Sequence, residues 1–409
     1  MTDFLEKFKI ISDTQFGFRK GKGTDSALIN FVNYIHQGLT NRNNVGTIYM
    51  DLSKAFDVMD HQILRIKLEH YGFRGFFLDF LMDFLKDRKY YVHVNGCNSK
   101  SKDVNIGVPQ GSTLGPLLFL IFINDMKNSS SLLEFLQFAD DTTTMLSDPD
   151  IKSLNETMER EANKVMEWFN CNKLIINLTK TNCMLFSNKR NTTNLNIRLN
   201  NIPLDQVTET TFLGVVIDDK LTWKSHVKHI STKISKSIAI LKFVKNIFPK
   251  SVLRMLYMAL IFSHLNYCNI IWGSACKTTL DPLYKLQKKA VRLINISNYL
   301  DHTEPIFRKL NILTIQKIFE LNCLTFIYKC TKMEKFQHFK SLLISKSSIY
   351  CYDTRNKDQF RPPRSRLNII RNSFFANGIS LWNTLDIETK NSINIFRFKQ
   401  KIKNDLLSK

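Results

Sequence analysis

The chain has 409 residues, 44% apolar and 23% charged, which is room for two or three domains with a sizeable core and unlike a disordered or fibrous protein. Lys and Arg total 58 against 36 Asp and Glu, a net charge of +22, yet residues 1–217 hold 24 basic and 24 acidic side chains and residues 218–409 hold 34 and 12. A neutral half joined to a basic half points to chemistry in the first and a polyanion grip in the second.

In chain order, Val45–Met50 is a β-branched and aromatic run that stops at Asp51, and Lys89–Val94 reads as a strand ending at the turn Asn95-Gly96. Leu114–Met126 is too long and apolar for an ordinary strand and is expected as a buried helix. Glu134–Ala139 and Thr142–Leu146 flank Asp140-Asp141, two short strands around a tight acidic turn. Residues 153–171 carry Leu154, Met158, Ala162, Val165 and Phe169 at helical spacing, with Glu156, Glu159 and Glu161 expected outward. Alternating elements with antiparallel hairpins predict an α+β fold rather than a doubly wound sheet.

After residue 220 helices take over. Val227, Ile230, Ile234, Leu241, Val244 and Phe248 form one stripe ended by Pro249, and Ser251–Trp272 and Leu280–Ile294 read as further helices. Residues 355–371 read as a loop with Pro362-Pro363 and five arginines. The longest apolar run, Leu117–Ile123, is far below the roughly 20 residues of a membrane span. No signal segment opens the chain. The eight cysteines form no CxxC pair and read as reduced thiols rather than a disulfide framework or zinc site. The expectation is an intracellular protein without a membrane partner, nucleus or cytoplasm being left open.

Carboxylates carry the chemistry. Asp51 ends an apolar strand and Asp140-Asp141 sit in a hairpin turn. Acids beside buried strands are costly unless paired or bound to a cation. Oxygen ligands suit Mg²⁺, which keeps waters and binds substrate phosphates through a few carboxylates. Two such ions can activate an attacking hydroxyl and stabilise a leaving oxygen. Asp at strand ends and turns is also common, and spacing alone leaves the ordinary turn reading open.

The residues around these acids carry more. Tyr49–Asp57 (YMDLSKAFD) resembles motif A of reverse transcriptases, Gly107–Pro116 (GVPQGSTLGP) motif B, and Phe138–Asp141 (FADD) motif C. Asn177–Thr181 (NLTKT) resembles motif D, Phe212–Gly214 (FLG) motif E, and Gln15–Arg19 (QFGFR) the fingers motif that precedes motif A. Six blocks in order resemble the reverse transcriptase of non-LTR (LINE-type) retrotransposons, in its jockey-like branch. Tyr284–Ile294, Ser380–Asn383 and Phe396–Leu407 are similar, more loosely, to the C-terminal region of those proteins. The family's endonuclease domain and an earlier fingers block with an Arg-Pro-Ile-Ser type sequence have no counterpart here. The chain therefore looks like the C-terminal portion of a longer protein, with endonuclease activity expected from a missing domain or another protein.

The resemblance implies a right-hand polymerase palm, an antiparallel sheet with packed helices. It divides the chain into partial fingers (1–48), palm (49–217), helical thumb (218–300) and basic C-terminal extension (301–409). Asp51, Asp140 and Asp141, with the Leu52 carbonyl, are implied ligands of two Mg²⁺ ions, Mn²⁺ being a substitute. Phe56 is implied as a steric gate against a 2′-hydroxyl. Lys54 and Ala55 would offer backbone N–H groups to the triphosphate, as a helix N-terminus does. Gln110 would face the incoming nucleotide, Arg19 would fork onto its phosphates, and Lys180 would assist the leaving pyrophosphate. Phe212, Leu213 and Gly214 are the implied primer grip.

Basic candidates for holding nucleic acid are Lys228, Lys233, Lys236, Lys285, Lys288, Lys289, Arg292, Arg361, Arg364 and Arg366. The implied activity is RNA-directed DNA synthesis, with an RNA template, a DNA primer or target end, and dNTPs. The alternatives are a catalytically impaired remnant that only binds nucleic acid, and a metal-dependent nuclease that would leave Phe56 and Gln110 without a role.

Overall fold

Val45, Thr47, Ile48 and Tyr49 suit a pleated strand, and in the computed structural model they form β1 (Asn44–Met50), buried along its whole length. Residues 1–189, 194–340, 342–348, 359–363 and 365–408 are described by the structure. They fall into two compact units, Met1–Thr208 and Glu209–Lys409.

In the first unit β1 is the middle of a five-stranded sheet of order β11-β8-β1-β7-β6. Its partners are β6 (Glu134–Phe138), β7 (Asp141–Asp148), β8 (Asn182–Phe186) and β11 (Asp205–Gln206). All pairings are antiparallel except β11 with β8. On one face lies α2 (Thr24–Thr40), whose Phe31 ring sits 6.0 Å from that of Tyr49. On the other lies α6 (Ile151–Cys171), so close that a Cβ on Gly46 would come within 2.6 Å of Met158 Sδ. A larger residue there would have to push the Met158 side chain aside. The remaining helices are α1 (Thr2–Lys7), α3 (His61–His70), α4 (Gly75–Asp83) and α5 (Gly115–Ile123). Asp60 caps α3 by accepting from the Gln62 and Ile63 amides at 2.9 and 3.1 Å. Short strand pairs β2 (Arg88–Tyr90) with β5 (Lys102–Val104), β3 (His93–Val94) with β4 (Cys97–Asn98), and β9 (Arg198–Leu199) with β10 (Ile202–Pro203) complete the unit.

The α+β class holds: the acidic turn lies between antiparallel β6 and β7, and Leu118–Ile123 are buried in α5 as expected. Three local expectations need correction. The strand over Lys89–Val94 is split at Tyr91-Val92, and its residues are exposed, with no apolar face packed to hold a longer strand. Helix α5 stops at Ile123 because Asn124 turns its side chain to the chain start, accepting from the Ser12 amide (2.7 Å) and donating to the Ile10 carbonyl (2.8 Å). Glu161 is 1% exposed rather than outward. Lys164 pairs with it at 2.8 Å, Ser130 Oγ donates to it at 2.8 Å and Arg160 pairs with it at 3.2 Å, which holds its carboxyl below the usual range despite burial.

The second unit opens with the hairpin β12 (Glu209–Phe212) and β13 (Val215–Asp218), then becomes helical. The first apolar stripe builds α7 (Lys224–Val244), burying Val227, Ile230, Ile234 and Leu241, while Phe248 beyond its end is exposed. Ser251–Trp272 is not one helix. It divides into α8 (Lys250–Tyr257), a wider turn over Met258–Phe262, α9 (Ser263–Asn266) and α10 (Asn269–Trp272). The break is at Tyr267-Cys268, where Cys268 is left-handed (φ 47°) and the Trp272 indole N–H donates to the Tyr267 carbonyl at 2.9 Å. Then follow α11 (Lys277–Asn295), α12 (Glu304–Leu310), α13 (Ile315–Lys332), and helices over Phe374–Thr384 and Ile395–Ser408. The second unit carries 34 basic and 13 acidic residues, the first 24 and 23.

Candidate active site

The acids meet because of strand register. β1 and β7 pair up to Met50 opposite Thr142, so the next residues outward, Asp51 and Asp141, leave the sheet side by side and on one face. Phe138 pairs with Asp141, leaving Ala139-Asp140 as a two-residue turn with Ala139 left-handed at φ 55°. The proximity has an electrostatic consequence. Burial first, then the charges of Asp140 and Asp51, push the Asp141 carboxyl up to about 6. A carboxyl whose proton is held partly by two neighbouring negative charges has the chemistry of a divalent-cation site. Among the described residues no group of three or more His, Cys, Asp or Glu side chains is close enough, as it stands, to hold a metal ion.

The segment Lys173–Thr181 runs beside motif A. Ser53 N–H bonds the Ile175 carbonyl (2.8 Å), Asn177 N–H the Asp51 carbonyl (2.8 Å), and Thr181 Oγ1 accepts from the Asp51 amide at 3.4 Å. Lys180 is thereby brought to Asp51, its Nζ 3.8 Å from Oδ2 with most of the side chain in solvent. Leu52 lies in this bridge, opposite Ile176.

Phe56 is half-buried, stacked on Phe119 of α5 at 4.3 Å and met edge-on by Phe18 at 6.3 Å. Motif B is laid along motif A by its backbone. Gly107 N–H bonds the Met59 carbonyl (2.7 Å) and Val108 N–H the Phe56 carbonyl (2.9 Å). Gly107 has φ +70°, and a Cβ there would lie 2.5 Å from the Asp57 carbonyl oxygen. Gln110 Nε2 donates to Asp57 Oδ1 at 3.0 Å. Ser112, in the turn before α5, accepts from the Gly115 amide (3.0 Å).

Two local arrangements differ from expectation. Residues 53–57 form turns, with Lys54 left-handed at φ 50° and Ala55 buried, so no helix N-terminus presents their amides. Arg19 is engaged inside the unit. Its guanidinium forks onto Glu6 with two 3.0 Å bonds and donates to the Ser12 carbonyl at 2.8 Å, its side chain only 9% exposed. A phosphate would have to displace Glu6.

Sequence reading missed Gln15, Gly17, Phe18 and Phe119. The first three stood inside the Gln-Phe-Gly-Phe-Arg block, noticed for its arginine. Phe212, Leu213 and Gly214 belong to the second unit. Leu213 and Gly214, at φ 46° and 74°, make the β12–β13 turn, and Tyr267 Oη donates to the Leu213 carbonyl at 2.9 Å. In the same unit Lys228, Lys233 and Lys236 stand exposed on α7. On α11, Lys285 pairs with Asp281 at 2.7 Å, Lys288 sits 4.2 Å over the Tyr284 ring, Lys289 is exposed, and Arg292 donates to the Asp301 carbonyl at 3.0 Å. Arg366 is exposed and Arg361 half-buried, while Arg364 and much of the expected arginine loop lie outside the described residues.

A sheet ending in neighbouring acids, flanked by an aromatic and a glutamine loop, has the layout of a polymerase palm. The sequence pattern of the family described as reverse transcriptase (RNA-dependent DNA polymerase) matches residues 1–217, and the chain belongs to that family. Family members generally use divalent metal ions. The chain is 27% identical to the RNA-directed DNA polymerase from mobile element jockey of Drosophila melanogaster, over 74% of this chain and 34% of that protein. It is 26% identical to the probable RNA-directed DNA polymerase from transposon X-element of the same fly, over 77% of this chain and 35% of that protein. The chain thus spans about a third of the length of these relatives. A solved structure of apo telomerase from Candida tropicalis aligns with TM-score 0.41 and 12% identity, over 83% of this chain and 59% of that one, too low an agreement to add to the assignment.

Proposed function

We propose that the chain is an RNA-directed DNA polymerase of a non-LTR retrotransposon, joining dNTPs to a DNA primer 3′-hydroxyl on an RNA template. The observation that carries this reading is the strand register that sets Asp51 beside the Asp140-Asp141 turn, where desolvation and then the neighbouring charges lift the Asp141 carboxyl to about 6. Such a cluster fits divalent cations, and we read Asp51, Asp140, Asp141 and the Leu52 carbonyl as holding two of them, Mg²⁺ or Mn²⁺. When bound, they supply an acidified attacking hydroxyl and neutralise charge on the leaving pyrophosphate.

The chain's own residues supply position. Phe56, braced by Phe119 at 4.3 Å, cannot easily retreat from a 2′-hydroxyl, and this favours dNTPs over rNTPs. Gln110 stands on the loop whose Val108 amide bonds the Phe56 carbonyl, its own amide held by Asp57. Lys180, beside Asp51, is placed to donate a proton or positive charge toward the leaving group. In the second unit, Lys228, Lys233, Lys236 and Lys289 are solvated cations suited to phosphate contacts that ignore sequence. Most of the catalysis asked of this protein is positioning and charge neutralisation.

Primer extension on poly(rA)/oligo(dT) with Asp140→Asn as control tests the reading. Incorporation of dTTP by the wild type and not by the variant is expected. Equal incorporation by both, or none by either, removes the polymerase assignment. A nuclease would instead shorten the labelled primer without dNTP.

A further inference from the structure

We propose that Gln15, seated by Gly17, is a positioning residue that holds the left-handed turn at Ala139 and thereby the placement of Asp140 and Asp141 relative to Asp51. The inference rests on the metal-site reading above and extends it to a residue with no place in it.

Gln15 is 2% exposed. Its Oε1 accepts two backbone amides at once, Gly17 N–H at 2.7 Å and Ala139 N–H at 3.0 Å, and its Nε2 faces the Ala139 carbonyl at 3.5 Å. One side chain therefore addresses both polar groups of the residue just before the twin acids. The rest of the segment is stitched to β6. Phe16 N–H bonds the Gln137 carbonyl at 2.8 Å, Gln137 N–H bonds the Thr14 carbonyl at 2.9 Å, and Thr14 Oγ1 donates to Gln137 Oε1 at 3.0 Å. Gly17 lies flat against the turn, since a Cβ there would fall 2.3 Å from the Ala139 nitrogen and 3.0 Å from the Phe138 carbonyl carbon.

The turn needs such a brace. In a two-residue hairpin a left-handed first position is normally filled by glycine, whereas an alanine there is strained by its Cβ. With φ 55° at Ala139, the backbone has a lower-strain alternative that would swing Asp140 away from its neighbours. The Gln15 bonds select the strained form. Partners one step behind a metal's ligands commonly tune affinity by about 10- to 100-fold.

The test uses the full chain and Mn²⁺ alone, with binding followed by the free-ion EPR signal and folding by thermal midpoint. Gln15→Met keeps the shape and removes both the oxygen that accepts the two amides and the amide that faces the Ala139 carbonyl, and it is expected to weaken Mn²⁺ binding about tenfold or more. Adding Ala139→Gly, which removes the Cβ strain, is expected to recover most of that loss. A merely structural glutamine would lower the midpoint and leave affinity per folded molecule alone. Mn²⁺ affinity within about twofold of wild type, or no recovery in the double variant, overturns the proposal. If Gln15→Met does not fold, amide exchange in the wild type decides. Exchange of Ala139 N–H as slow as the paired amides of β6 and β7 supports the brace, and exchange at loop rates overturns it. That exchange also separates the brace from the metal reading, because it is measured without metal or dNTP.

Discussion

The two units differ in the physics they bring to the proposed reaction. The first is nearly charge-neutral, and its acids are held by strand register, buried glutamine bonds and close backbone approach. Small displacements there matter. The second carries its charge excess on long, solvated side chains such as Lys228, Lys233 and Lys236, where no single cation is decisive and the sum is tuned by salt. One unit is built for geometry, the other for field strength, and substitutions should sort accordingly.

The largest effect is expected in the first unit. Asp51→Asn should reduce dNTP incorporation by about a thousandfold, because a charge facing the metals is worth several kcal/mol in the transition state, while the circular dichroism spectrum stays unchanged. A loss of tenfold or less would show that the acids are not the chemical centre. Next, Phe56→Ala should lower the preference for dCTP over CTP by about 10- to 200-fold in kcat/KM ratios, with dNTP incorporation itself less affected. An unchanged ratio would mean that the ring packs on Phe119 and excludes nothing. The smallest effect per residue belongs to the second unit. Replacing Lys228, Lys233 and Lys236 together by Ala should flatten the slope of log affinity against log salt by about 0.7–0.9 for each phosphate that is no longer neutralised, uniformly across template sequences. A change that depends on template sequence would contradict the division.

Much of the first unit was legible in the residues themselves. A β-branched run ending in Asp51, and two short runs around Asp140-Asp141, are strands whose ends must be polar. Antiparallel pairing then places the acids together. Lys180 and Gln110 were legible only through resemblance, since their partners, Asp51 and Asp57, are distant in the chain. The pairing of Arg19 with Glu6 was not legible, because a guanidinium that suits phosphate suits a carboxylate equally well. Glu161 misled because helical spacing reports the average face and cannot see Ser130, which comes from elsewhere in the chain to receive it. The brace at Gln15 was hidden for a similar reason: its bond to Ala139 spans 124 positions. In the second unit, the break at Tyr267-Cys268 depends on bonds from Trp272 and to Leu213 that local propensity does not encode.

Titration of Asp141 by carboxyl-carbon NMR, with and without Mg²⁺, probes the shared site most directly. Because its folded value, about 6, exceeds the ordinary 3.8, the folded chain retains a proton that the unfolded chain has lost. Metal-free stability should therefore fall as pH rises through the interval between these values. The carboxyl should titrate near 6 in the metal-free protein, shift toward ordinary acidity when Asp51 becomes Asn, and drop sharply with Mg²⁺. A titration indifferent to both Asp51 and Mg²⁺ would contradict a common cation site.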